Sequence, residues 1–222
     1  QTCALPIYKY TNTLIKLKRV MSKISHDEIV NDIEASDVCA ELDNVVKNVR
    51  ELSTIINAGN TAYMNGDLTN ALVIYNKVLN IMNAKNNLRG KAICLNNMGV
   101  VYKQKGNVAE SLKHTHQSID IVKKMMQDKT NGNQNECKNM LGNRYLNIGI
   151  AYKDSNDFIN AKIYLDSALA YFRETDNAVG ICNVSINYSQ LYLQSGDIQK
   201  GRDLVNQTYE EISQRNEPDS LQ

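Results

Sequence analysis

"NMGVVYKQKGNVAESL", residues 97–112, decides how this chain is read. An apolar-periodic segment runs into a Gly-Asn break, and a second periodic segment opens beyond it. The arrangement returns as "NAGNTAYMNGDLTNAL" at 57–72, "NIGIAYKDSNDFINAK" at 147–162 and "NYSQLYLQSGDIQKGR" at 187–202, so successive starts lie 40, 50 and 40 residues apart. Each copy reads as a helix–turn–helix hairpin, and four in register read as a repeat architecture.

Small residues mark where the helices of each hairpin meet. Gly59, Gly99, Gly149 and Ser189 share one slot of the first segments, and twelve residues on come Ala71, Ser111, Ala161 and Gly201. Two helices approach closely only where side chains are small. Tyr63, Tyr102, Tyr152 and Tyr192, with Tyr75 and Leu165 of the second helices, fill between them, and Leu68, Val108, Phe158 and Ile198 follow the turns. Repeat 2 departs from the pattern at Thr115 and Ser118, and repeat 4 at Ser189, Gly201 and Thr208. The extra ten residues before repeat 3 include the polar "DKTNGNQNE" at 128–136, which reads as a loop.

This succession of Gly, Tyr, Gly-Asp, Ala and Tyr resembles the tetratricopeptide repeat family over roughly 52–215. The 40-residue period is similar to the long-helix variety found in kinesin light chains and cell-polarity adaptors. The resemblance implies an all-α fold, a right-handed α-solenoid of four helix hairpins. The repeats fall near 52–85, 88–127, 136–175 and 177–215, with a tail at 216–222. Residues 8–51 read as an N-terminal helical cap, because a solenoid must cover its ends. "SHDE" at 25–28 is a capping box, and Val38, Leu42, Val45, Val49, Leu52 and Ile56 form one helical stripe.

"QTCALPI" at 1–7 has no period, and the codons CAG ACG TGT GCT CTT CCG ATC, which spell it, look like a sequencing-library adapter read in frame. It is set aside as an artefact, on which reading the sequence is a fragment. At the other end Leu204, Val205, Tyr209 and Ile212 have no following helix to cover them, which leaves room for self-association through the C-terminal helix or for further chain.

No catalytic constellation emerges, and the chain reads as a non-enzyme without metal or cofactor. His26, His114 and His116 are the histidines, and "HTH" at 114–116 puts two of them on different sides of a helix, read here as solvated. "GNRYLNIG" at 142–149 lacks the Lys-Ser/Thr ending and the preceding strand of a phosphate loop. Cys39, Cys94, Cys137 and Cys182 are scattered without a CxxC pair, as in a reduced, cytoplasmic protein. A net charge of +1 points away from nucleic acid. The basic stretch "IKLKRVMSK" at 15–23, part of an amphipathic segment over 9–24, reads as a capping helix before a membrane contact.

What remains is binding. The first helices of such hairpins line the concave surface of the superhelix. Two residues before each small slot stand Asn57, Asn97, Asn147 and Asn187. In several long-helix members of the family, asparagines at this slot hold the backbone of an extended peptide, and an amide offers it both donor and acceptor. Asn60, Gln190, Tyr63, Lys103 and Lys153 complete the expected groove, with Tyr63, Lys103, Lys153 and Leu193 sharing one later slot. The carboxylate clamp of some relatives is not expected, since Ile56, Asn143 and Asn147 stand at its positions. The expected function is therefore a protein-interaction module for an extended peptide or partner segment. A structural or oligomerising scaffold and the regulatory arm of a larger signalling enzyme are the alternatives.

Overall fold

A computed structural model describes residues 54–127 and 133–216, with the side chains of 214–216 left aside. The chain divides into two units, Gln1–Ala58 and Gly59–Gln222. The expected cap and the amphipathic segment lie outside the described residues.

The described residues form eight helices and no strand. They are α1 over 54–64, α2 Leu68–Ala84, α3 Leu88–Gln104, α4 Val108–Gln127, α5 Gln134–Asp154, α6 Phe158–Glu174, α7 Ala178–Gln194 and α8 Ile198–Asn216. From α2 onward each helix packs on the next, and α3 touches α5 while α5 touches α7. The first helices α3, α5 and α7 thus stand side by side as one layer with the second helices packed between successive members, the architecture of an α-solenoid.

Turn chemistry explains the helix ends. Gly66, Gly106 and Gly196 take φ of 79°, 75° and 85° at the turns within hairpins, and Asn156 does the same work at 60°. Between hairpins Asn86 and Asp176 adopt φ of 49° and 53°. The next residue then caps the following helix: Asn87 accepts from the Gly90 amide at 2.9 Å, Asp157 from Asn160 at 3.1 Å and Asn177 from Gly180 at 2.9 Å.

Two sets of glycines set the packing. Within hairpins, a Cβ on Gly149 would stand 3.0 Å from Leu165, and one on Gly99 would overlap the Thr115 hydroxyl. Between hairpins, Gly90 faces Met82 and Gly180 faces Phe172, each too close for any side chain. At the corresponding place in the middle of the array the sizes are reversed: Met140 and the smaller Val122 share one buried cluster. Tyr145 and Tyr152 of α5 stack on Tyr171 and Tyr164 of α6, with centroids 5.6 and 5.4 Å apart.

The polar departures of repeats 2 and 4 are hydrogen-bonded parts of the core. Arg144 on α5 is only 4% exposed. It donates from Nε to Ser118 Oγ at 2.9 Å, from Nη2 to the Ala92 carbonyl at 3.1 Å and from Nη1 to the Met140 carbonyl at 2.9 Å. Ser118 itself donates to Ala92 O at 2.5 Å, so one guanidinium ties three helices together. Thr115 bonds the Ser111 carbonyl, and Ser185 pairs with Thr208 at 2.7 Å.

His114 corrects the sequence reading. It packs against Tyr102 at 4.9 Å, and its Nδ1 lies 2.8 Å from the Glu110 carbonyl, so it belongs to the hairpin of α3 and α4 and is not a solvated residue. A carbonyl only accepts, so Nδ1 carries a proton. His116 is exposed and meets the edge of Tyr164.

Candidate ligand groove

The face of α3, α5 and α7 turned away from the second helices carries six of the expected site residues, Asn97, Lys103, Asn147, Lys153, Asn187 and Gln190, and it gives them different tasks. One stripe on each helix runs through positions four and three apart: Arg89, Ile93, Asn96, Val100 and Lys103 on α3; Asn139, Asn143, Leu146, Ile150 and Lys153 on α5; Val179, Asn183, Ile186, Gln190 and Leu193 on α7.

Lateral ties join these stripes. Arg89 pairs with Glu136 at 2.5 Å, and Asn147 donates to Asn96 Oδ1 at 3.0 Å, linking α3 to α5. Lys153 donates to Asn187 Oδ1 at 2.9 Å and Gln190 Oε1 at 2.5 Å, linking α5 to α7. Asn187 spends its own amide on the Asn183 carbonyl. Asn97, half-buried on α3, makes no side-chain hydrogen bond among the described residues. The asparagine slot is therefore not uniform: Asn147 and Asn187 bind neighbouring helices, and Asn97 is open. Asn57 is exposed on α1 and lies in the first unit. Asn60 accepts from the Tyr75 hydroxyl at 2.7 Å and so serves the α1–α2 joint, while Tyr63 packs with Tyr75, Met98 and Val101.

Two lysines stand at the centre. Lys153 is 5% exposed, its charge carried by two neutral amide oxygens and by Asp154 at 3.9 Å. Burial holds its pKa below the usual lysine value, with Asp154 opposing. Burial also lowers Lys103; Asp154 opposes this and repulsion from Lys153 adds to it. Among the described residues the Lys103 ammonium has no hydrogen bond and no ion pair.

On α7 the stripe changes character. Val179, Ile186 and Leu193 stand where the earlier helices carry Arg89 or Asn139, Asn96 or Leu146, and the lysines, and each is more than half exposed. The sequence reading had named Leu193 only as a neighbour and missed Asn96, Val179 and Ile186. The spacing of seven between these α7 residues is the signal that would have found them.

Elsewhere chemistry is muted. Burial pushes the Cys94 thiol up to about 12 and raises Cys137, where Glu136 adds to the effect, so neither is a ready thiolate. Among the described residues no helix is long and apolar enough to cross a membrane.

Comparisons with known proteins agree with this architecture. Residues 92–128 and 143–175 each match a model of the tetratricopeptide repeat. These stretches are tetratricopeptide repeats, and the repeat-bearing part of the chain has the tetratricopeptide solenoid fold. BtubC (BKLC) from P. vanneervenii is similar in structure, with a TM-score of 0.60 and 16% identity over 77% of this chain and 66% of that one. The nearly identical TPR-like repeats of a Podosopora anserina chain, described as a kinesin light chain, give a TM-score of 0.54 at 15% identity, covering 77% and 79%. The Rap conjugation gene regulator of the plasmid pLS20, solved in complex with the Phr* peptide, gives 0.57 at 16% identity, covering 90% of this chain and 58% of that one. The chain thus spans less than two thirds of the length of BtubC and of Rap. No curated protein matches the sequence.

Proposed function

We propose that this chain is a non-catalytic, cytoplasmic protein-interaction module that holds an extended peptide or partner segment along α3, α5 and α7. The observation that carries the reading is the groove face itself. Among the described residues, Asn97 and the Lys103 ammonium are without hydrogen-bond or ion-pair partners there, beside exposed Asn143 and Asn183 and the apolar side chains of α7. An amide and a cation left open on a layer of adjacent helices suit a peptide, which brings carbonyls, amides and side-chain charges at regular intervals. That a structurally similar regulator was solved with a peptide supports the same reading. The test is to select peptides by display on the whole chain, then measure Asn97→Ala for binding and for melting. The reading expects binding to weaken by about 1–3 kcal/mol with little change in melting, because the Asn97 side-chain amide has no hydrogen bond to lose among the described residues.

A second reading, self-association through α8, is favoured by one comparison within the array. Val205 is 46% exposed where its counterpart Leu165 is fully covered by the following hairpin, and Tyr209 is 74% exposed. Sedimentation of the wild type against Tyr209→Lys tests it.

A further inference from the structure

Four residues after the small slot, the layer of first helices carries Tyr63, Lys103, Lys153 and Leu193 in order. The two central cations are not equivalent. Lys153 is engaged with Asn187 and Gln190. Lys103 is half-buried, faces a second cation, and has no acceptor of its own among the described residues. One carboxylate, Asp154, is shared between two ammonium groups. This row therefore lacks one negative charge, and its place is beside Lys103. One helix further on, the row ends in Leu193, 56% exposed, with Ile186, 52% exposed, a heptad earlier on the same helix.

We propose that Lys103 anchors one acidic side chain of the bound peptide, and that Ile186 and Leu193 seat a large apolar side chain of the same peptide. The inference rests on the groove-binding reading above and names its partner class: an extended segment bearing an acid and, a fixed distance away, an aliphatic or aromatic residue. Packed helices stand about 8–10 Å apart, and an extended chain rises about 3.3 Å per residue. From Lys103 on α3 across α5 to Leu193 on α7 are two such spacings, about 16–20 Å, so the offset is about five to six residues. A carboxylate on a half-desolvated ammonium forms a charge-assisted bond stronger than one between neutral groups. The same place would reject a peptide presenting Lys or Arg there, since a third cation would join two.

The probe is a phage-displayed random dodecapeptide library panned on the whole chain, followed by synthetic versions of the enriched clones. Enriched clones should carry Asp or Glu with Leu, Ile, Met or Phe about five or six residues away. Replacing the acid by its amide should weaken binding about tenfold on the wild type and hardly at all on Lys103→Gln. Leu193→Ser should relax the choice of apolar residue while keeping the acid. Clones that bind without an acid, or an acid whose amide binds equally well to the wild type, would overturn this inference and leave the groove reading standing. A selection that yields no peptide would overturn both.

Discussion

The ring of Phe172 lies where side chains at Gly142 and Gly180 would have to be: a Cβ on Gly142 would stand 2.7 Å from Cε1, and one on Gly180 would overlap Cγ and Cδ1. Phe172 is fully buried, so α5, α6 and α7 are locked around one ring. Gly180→Ala gains about 1 kcal/mol of helix propensity but overpacks by about 1–3 kcal/mol. The net effect expected is destabilisation, partly relieved by adding Phe172→Val, which imitates the smaller Val122 facing Met140. Urea midpoints of the two single variants and the double variant measure the coupling, and strict additivity would contradict the lock.

Arg144 is the costliest buried polar group to remove. Arg144→Met leaves the Ala92 carbonyl and the Ser118 hydroxyl with fewer partners in a dry interior. A loss of about 2–4 kcal/mol is expected by denaturation. Arg144→Lys should recover little, because one ammonium cannot span three acceptors on separate helices.

His114 is the test of the correction made to the sequence reading. Packed on Tyr102 and bonded to the Glu110 carbonyl, it should cost about 1–2 kcal/mol on change to Ala, while exposed His116 should cost less than about 0.5 kcal/mol. Equal, negligible effects in thermal unfolding would restore the solvated-face reading.

Tyr188 gives the array a sensitivity to alkali. Its hydroxyl donates to Asp166 and to the Lys162 carbonyl, and burial first, then Asp166, raise its pKa. In the unfolded chain a tyrosine ionises near pH 10. The stability Tyr188 contributes is therefore complete below that pH and declines as pH rises above it. Tyr188→Phe should cost about 1 kcal/mol at pH 8, and the gap should narrow by about 1.4 kcal/mol per unit above pH ~10. A gap that stays constant to pH 11 would show that the hydroxyl is not held neutral by its neighbours.

Much of the fold was legible because four hairpins repeat the same small residues, turn glycines and caps, so each copy checks the others. The sequence reading treated Thr115, Ser118 and Thr208 as weak points. Whether a buried hydroxyl finds a partner depends on another helix, as Ser118 depends on Arg144 twenty-six residues away. His114 was misread for the same reason: its polarity suggested water, but its position faces Tyr102. The asparagine row was visible as a register, yet register alone does not say which amide a neighbouring helix will claim. Asn96, one residue from Asn97, decides that Asn147 is engaged.

The most direct test of the account is an NMR map of the whole chain with a display-selected peptide. Perturbed amide and methyl signals should follow Asn97, Val100 and Lys103 on α3, Ile150 on α5, and Asn183, Ile186 and Leu193 on α7. The exposed apolar residues of the second helices, Val73, Ile159 and Ile163, should stay unmoved. Perturbation centred on those second-helix residues, with the first-helix face silent, would contradict the groove as the binding site.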